Sequence, residues 1–162
     1  MSTRSGIGYD SHRLVEGRRL VLGGVELDAE RGLEGHSDAD VLSHAITDAL
    51  LGAAGLGDIG QHFPDSDERY RNADSLVLLS NALASVRAAG FEIVHVDATV
   101  VMERPKLAEA REAIRDRLAD ALGVPAANVN IKATTGEGIG FVGRGEGVAA
   151  LAVATLAQRA NG

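Results

Sequence analysis

The sequence predicts an α+β fold, a mixed β-sheet with helices packed on one face. Three observations carry that expectation. Runs of β-branched and small apolar residues occur at 19–27, 91–101, 129–134 and 147–156. Three other stretches repeat apolar residues at three- and four-residue spacing. The resulting order is strand, strand, helix, helix, strand, helix, strand, strand, which does not alternate strictly.

Taken in order, residues 5–9 read as a short strand leading into Asp10 and His12. Residues 19–27 read as a strand interrupted at Gly23-Gly24 by a turn or bulge. Residues 29–35 are loop-like and polar. Ser37 or Asp38 is expected to cap a helix to about Leu51, with Val41, Leu42, Ala45 and Ala49 on one side. Residues 52–71, rich in Gly, Asp and Pro, predict a long irregular loop, a length that often carries function. Asp74 caps the next helix, in which Leu76, Leu79, Leu83 and Val86 share a face, and Gly90 ends it. Residues 91–101 form a strand. Pro105 starts a helix with the stripe Leu107, Ala110, Ile114, Leu118 and Leu122, stopped at Gly123. Residues 129–134 are a strand, and 147–156 a last, fully buried one. For that Ala-rich run a helix is the alternative. With no repeat or linker, residues 1–162 are expected to be a single domain.

Composition narrows the function. Aromatic residues are 3% of the chain, so the core must be built from Ala, Val, Leu and Ile. Such side chains each bury less area, which points to an oligomer interface as part of the stability. A net charge of −7 argues against nucleic acid, whose phosphates need a basic face. It allows a small phosphorylated ligand, because divalent cations neutralise phosphate locally. Cysteine is absent, so any zinc must use His and carboxylate. The first five residues lack the apolar segment of a signal peptide, and no apolar run is long enough to span a bilayer. A soluble cytoplasmic protein without a membrane partner is expected.

Asp10 and His12 flank Ser11, so in an extended segment both side chains point the same way. With His44 they make a candidate three-ligand zinc site that leaves a position open for water or substrate. Asp40 and Asp48, four residues either side of His44, are candidates to orient its ring. Surface polar residues and helix caps are the alternative, and spacing alone does not decide. Lys132-Ala133-Thr134-Thr135-Gly136-Glu137 closes a strand, where hydroxyls and backbone N–H groups bind phosphate and Glu137 suits Mg²⁺. A polar turn is the alternative. Gly138 to Gly143 fits G-x-G-x-x-G, but no helix-forming segment or βαβ unit accompanies it, so a dinucleotide site is rejected. A P-loop is rejected because Arg144-Gly145 stands where Lys-Ser/Thr is required. Arg144 is read as an anion contact or a surface salt bridge. Asp58 to Gly60 and Phe63 to Asp67 are read as a substrate flap or as turns. His62 and His95 are read as non-ligands.

Together these segments resemble the 2-C-methyl-D-erythritol 2,4-cyclodiphosphate synthase family nearly end to end. The matching motifs are Gly8-Tyr9-Asp10-Ser11-His12, Gly35-His36-Ser37-Asp38-Ala39-Asp40, His44 with the run 48–53, Gly57 to Gly60, Phe63 to Asp67, Arg104-Pro105-Lys106, Lys132 to Thr135, and Gly143 to Gly147. The resemblance implies a ferredoxin-like variant assembled as a homotrimer, with active sites between subunits. It implies zinc on Asp10, His12 and His44, Mg²⁺ or Mn²⁺ on Glu137, and catalytic roles for His36 and Thr135. Asp10, His12, His36 and Ser37, with Asp58, Ile59, Gly60, Phe63, Pro64, Asp65, Ser66 and Asp67, would meet the methylerythritol phosphate. Met102, Glu103, Arg104, Pro105, Lys106, Leu107 and Ala108 would meet the cytidine diphosphate. So would Lys132, Ala133, Thr134, Thr135, Gly136 and Glu137, while Phe141 and Arg144 match further binding positions. The trimer axis would take an isoprenoid diphosphate. Gly136 departs from relatives that carry Thr or Asn there, and Met102-Glu103-Arg104 also differs from common variants.

The implied reaction converts 4-diphosphocytidyl-2-C-methyl-D-erythritol 2-phosphate to the 2,4-cyclodiphosphate with release of CMP, in the non-mevalonate isoprenoid pathway. Two rivals stay open: a metal-dependent phosphohydrolase, and a non-catalytic oligomeric module that binds isoprenoid diphosphates.

Overall fold

Among the described residues five strands form the main sheet, in the order β4 (Arg31–Leu33), β1 (Thr3–Glu16), β7 (Gly147–Gln158), β5 (Phe91–Val101) and β6 (Val129–Thr134), with only the β5–β6 pair parallel. The structure, a computed structural model, describes residues 2–160. The first strand, β1 (Thr3–Glu16), is far longer than the expected 5–9 and carries Asp10 and His12 within it. It continues because it pairs with β7 from Thr3–Ala157 to Arg13–Gly147. Its far end pairs with β4 (Arg31–Leu33), inside the stretch expected to be loop. As an edge strand whose only ladder is with β1, β4 needs no apolar run and has no local signature.

Between them lies a separate hairpin of β2 (Leu20–Leu22) and β3 (Val25–Leu27). Gly23 and Gly24 make its two-residue turn at φ 57° and 75°, the left-handed region such turns demand. Helix α1 (Val41–Ala54) starts later than expected, because Asp40 and not Ser37 or Asp38 caps it. Asp40 is fully buried and accepts hydrogen bonds from the N–H groups of Gly23, Gly24 and Ser43 and from Ser43 Oγ. Burial pushes its carboxyl up, against the pull of those four bonds. Asp40 thus fastens the hairpin turn to the helix start. Asp40→Asn keeps the shape but turns an amide NH₂ toward donors. We expect about 2 kcal/mol of lost stability and a melting point roughly 4–8 °C lower, read by calorimetry. An unchanged melting point would show that the carboxylate does not hold the hairpin.

The stretch 52–71 is not wholly irregular. It holds α2 (Ile59–His62) and a 3₁₀ turn (Glu68–Tyr70), capped by Asp58 and Asp67. Asp74 caps α3 (Ser75–Ala88), and β5 (Phe91–Val101) follows. Helix α4 (Arg111–Leu122) does not begin at Pro105, since residues 105–110 form turns. Leu107 nevertheless reaches the core from that turn, joining Ile114, Leu118 and Leu122. Then come β6 (Val129–Thr134), one turn of helix α5 (Gly140–Gly143) within the glycine-rich segment, and β7 (Gly147–Gln158).

The Ala-rich run is therefore a strand, but it is covered on one face only. Val148, Ala150, Ala152, Ala154 and Leu156 are buried, whereas Leu151 and Val153 are 39% and 44% exposed. Helix α1 packs over β1 and β7, and α3 and α4 continue the layer over β5 and β6. Contact between α1 and β1 is close because Gly6 and Gly8 face the helix. A Cβ on Gly8 would lie 1.8 Å from Ala45 O, and one on Gly6 2.1 Å from Ala49 O. The helix rests on the strand backbone, and His44, at its first turn, is held above Asp10.

Candidate metal centre and adjoining clefts

Three side chains from two elements converge where α1 begins. Asp10 Oδ2 lies 2.9 Å from His12 Nε2 and 3.0 Å from His44 Nδ1, and the two nitrogens are 3.3 Å apart. The outer nitrogen of each imidazole is occupied. His12 Nδ1 donates to the Glu34 carbonyl at 2.8 Å, which leaves Nε2 as a lone pair. His44 Nε2 lies 2.8 Å from Ser75 Oγ and 3.2 Å from Ser37 Oγ, which leaves Nδ1 facing inward. With the His44 ring proton on Nε2, two nitrogen lone pairs and a carboxylate oxygen point at one another with no donor among neutral forms. Such a set repels itself unless a cation lies between, and one carboxylate with two imidazoles suits zinc or a similar ion. Asp10, His12 and His44 could therefore hold a metal ion.

The electrostatics agree. Burial works against an ionised Asp10, yet the hydrogen bonds and charge of His12 and His44 outweigh it and hold the carboxyl at about 2. Burial also works against a charged His12, but Asp10 and the Glu34 carbonyl raise it overall. The cluster draws positive charge, whether proton or metal.

Neither Asp40 nor Asp48 orients His44, contrary to the sequence expectation. Asp40 serves the hairpin and the helix cap, and Asp48 accepts from Ile59 N at 3.0 Å, fixing α2. His62 and His95 stay outside the cluster; His62 Nε2 donates to Leu56 O.

A cleft of about 450 Å³ opens over the triad. It brings together Asp10, His12, His36, Ser37 and His44 with Ile59, Gly60, Phe63, Pro64 and Asp65. Tyr70 and Leu78 also line it and went unnoticed in the sequence, where Tyr70 falls in the expected loop and Leu78 off the apolar stripe of the next helix. His36 Nε2 donates to Asp67 O. The loop carrying His36 is strapped by Arg18, whose guanidinium donates to the carbonyls of Leu33, Gly35 and Ser37 at 2.9–3.2 Å. Nothing in the local sequence marks Arg18 for that task. Asp58 and Asp67 turn their carboxylates to caps, Asp67 also pairing with Arg69, and Ser66 is exposed.

A second, smaller cleft of about 160 Å³ lies at the ends of β5 and β6. Met102, Pro105, Lys106, Leu107, Ala108, Ala133, Thr134 and Thr135 line it, joined by Val100 and Arg111. It shares no residue with the first. Some expected members stand apart. Lys132 pairs with Asp97 at 2.6 Å, Arg144 with Glu146 at 3.0 Å, and Arg104 lines a neighbouring groove with Arg31. Phe141 is partly exposed. Glu103 accepts the N–H of Gly136, and a Cβ there would fall 2.7 Å from Gly143 N. The two departures from common variants are thus in contact. Glu137 sits at φ 53°, its N–H donating to Thr135 Oγ1.

The chain is similar to known proteins over nearly its whole length. The family model described as the YgbB family matches residues 3–157. The 2-C-methyl-D-erythritol 2,4-cyclodiphosphate synthase of Laribacter hongkongensis is 58% identical over 98% of both chains. The bifunctional enzyme IspD/IspF of Anaeromyxobacter sp. is 61% identical over 94% of this chain, which spans only 39% of that protein. Among solved structures, the bifunctional IspDF from Campylobacter jejuni superposes with a TM-score of 0.94 at 44% identity, covering 97% of this chain and 42% of that one. A 2C-methyl-D-erythritol-2,4-cyclodiphosphate synthase with CDP bound gives 0.88 at 41%, covering 95% of this chain and all of the other. By sequence and by fold, the chain belongs to the YgbB family.

Proposed function

We propose that this protein converts 4-diphosphocytidyl-2-C-methyl-D-erythritol 2-phosphate to 2-C-methyl-D-erythritol 2,4-cyclodiphosphate with release of CMP. That is a cyclising phosphorus–oxygen lyase reaction of the non-mevalonate isoprenoid pathway. The observation that carries the reading is the convergence of Asp10, His12 and His44 within one cleft, in a chain so similar to known synthases.

The substrate's 2-phosphate oxygen forms the new bond to the β-phosphorus, and the bond from that phosphorus to the CMP oxygen breaks. The attacking oxygen is already anionic, so no residue need act as general base. Asp10, His12 and His44 would hold Zn²⁺, and Glu137 Mg²⁺ or Mn²⁺. When bound, these ions supply positive charge that screens the two phosphates from one another and stabilises the departing CMP. His36, strapped by Arg18, and the Thr135 hydroxyl would bind phosphate oxygens as charge builds. Pro64-Asp65 and Ile59-Gly60 would accept or donate to the erythritol hydroxyls and fold the flexible chain over, so orientation supplies part of the rate. Met102, Pro105 to Ala108 and Ala133 to Thr135 would suit a base and ribose, and a similar synthase has CDP bound.

We also propose a homotrimer with sites between neighbours. On the helix-free face of the sheet, Ile7 pairs with Val153 and Tyr9 with Leu151, all exposed and contiguous. An apolar patch of this kind marks an interface. Joining copies through it would bring one protomer's metal cleft to another's nucleotide cleft, which would account for their separation in a single chain. Apolar side chains around that axis would suit an isoprenoid diphosphate tail.

The test is incubation with the cytidylated substrate, Zn²⁺ and Mg²⁺. CMP and a cyclic product by mass are expected. Inorganic phosphate or two linear products would favour a phosphohydrolase, and no turnover with both metals a binding module.

A further inference from the structure

We infer that Ser75, backed by Asp38, is a positioning residue that locks His44 in the tautomer able to bind metal through Nδ1. This rests on the reading of Asp10, His12 and His44 as a metal site. The chain of hydrogen bonds has a forced direction. The Asp38 carboxylate accepts the backbone N–H groups of Ser75 and Asp40, at 3.1 Å each, and is in close contact with Ser75 Oγ. An ionised carboxylate has only acceptors, so the Ser75 hydroxyl must give its proton to Asp38. With its proton committed, Ser75 Oγ presents only lone pairs to His44 Nε2, 2.8 Å away. Nε2 must then carry the ring proton. Nδ1 is left bare and aimed at Asp10 and His12.

The alternative partner does not do this. Ser37 Oγ lies farther from Nε2, at 3.2 Å, and already accepts the N–H of Ala39. Its hydroxyl proton is free to rotate toward Nε2, which would favour the wrong tautomer. Ser75 is fully buried at the first position of α3, so water cannot replace its hydroxyl. The device joins two distant segments: α1 and the loop leading into it supply the ligand and the carboxylate, and α3 supplies the hydroxyl. Outer partners of this kind set ring orientation and ligand basicity in metal sites.

The experiment uses Ser75→Ala and Ser75→Thr in the full chain, with zinc alone as probe. Zinc affinity is measured by competition with a chelating dye. The His44 tautomer is read in metal-free protein by ¹⁵N imidazole shifts at mildly alkaline pH. We expect Ser75→Ala to bind zinc about 10- to 100-fold more weakly. We expect its His44 to lose the uniform Nε2–H form, and Ser75→Thr to restore both. A merely structural role for Ser75 would lower the melting point without altering the tautomer. Wild-type zinc affinity or an unchanged tautomer in Ser75→Ala would overturn the positioning role while leaving the metal site standing. Wild-type protein that takes up no zinc would overturn the metal reading and, with it, this one.

Discussion

On the proposed zinc-dependent reaction, His44→Ala is expected to bind no zinc and to lower CMP release on the order of 10³-fold or more, since a bound metal supplies several kcal/mol of charge stabilisation. The geometry explains why one substitution should do so much. Asp10 and His12 come from the same strand, two residues apart, and present only one edge of the site. His44 closes it from the helix, 3.0 Å from Asp10 and 3.3 Å from His12. Without it, two ligands remain, too few for a tight tetrahedral site. The fold has little reason to suffer. Ser75 keeps Asp38, Asp40 still caps α1, and Ala45, Ala49 and Ala53 still meet β1. The check is zinc per chain by elemental analysis, beside the melting point of metal-free protein. His62→Ala serves as comparison, because His62 bonds a carbonyl of its own loop and should leave zinc content unchanged. Turnover at the normal rate in His44→Ala would count against the ligand assignment.

Much of this was legible before any coordinates. The spans 91–101 and 129–134 emerge unchanged as β5 and β6, because both have dense β-branched content and sharp boundaries. Asp74 and Gly123 mark helix ends through side-chain and backbone chemistry that is local. The pair Asp10 and His12 needed only strand alternation. What was not legible depends on partners distant in the chain. An edge strand such as β4 owes its conformation to β1, and its own residues look like loop. Pro105 suits a helix start, but Leu107 is drawn into the core from a turn and delays the helix to Arg111. The orienting partner of His44 was sought four residues away along the helix. The true partner, Ser75, lies on another helix and was hidden in plain helix-start chemistry beside Asp74.

The least legible feature is also the one expected to be most sensitive. In sequence, Gly6 and Gly8 are small residues in a strand; in the fold they are the seat of α1. A methyl group on Gly8 would lie 1.8 Å from Ala45 O, 2.8 Å from Ala45 C and 2.9 Å from Ala49 N. All three are helix backbone, so no side-chain rotation relieves the clash, and close-packed interiors pass such strain on. Helix α1 must retreat by on the order of 1 Å, carrying His44 with Ala45. Metal sites tolerate ligand displacements of only about 0.2 Å, so zinc binding should fall at least ~100-fold. The lost packing should cost about 3 kcal/mol or more, a melting point lowered by roughly 10 °C. The contrast is Gly52→Ala on the same helix. There the nearest atom to the new methyl is Ile7 O at 4.0 Å, and Gly52 is exposed. Replacing a helical glycine by alanine should then stabilise by about 0.5–1 kcal/mol and leave zinc affinity alone. If Gly8→Ala melted and bound zinc like wild type, the close seat of α1 on β1 could not be what brings His44 to Asp10.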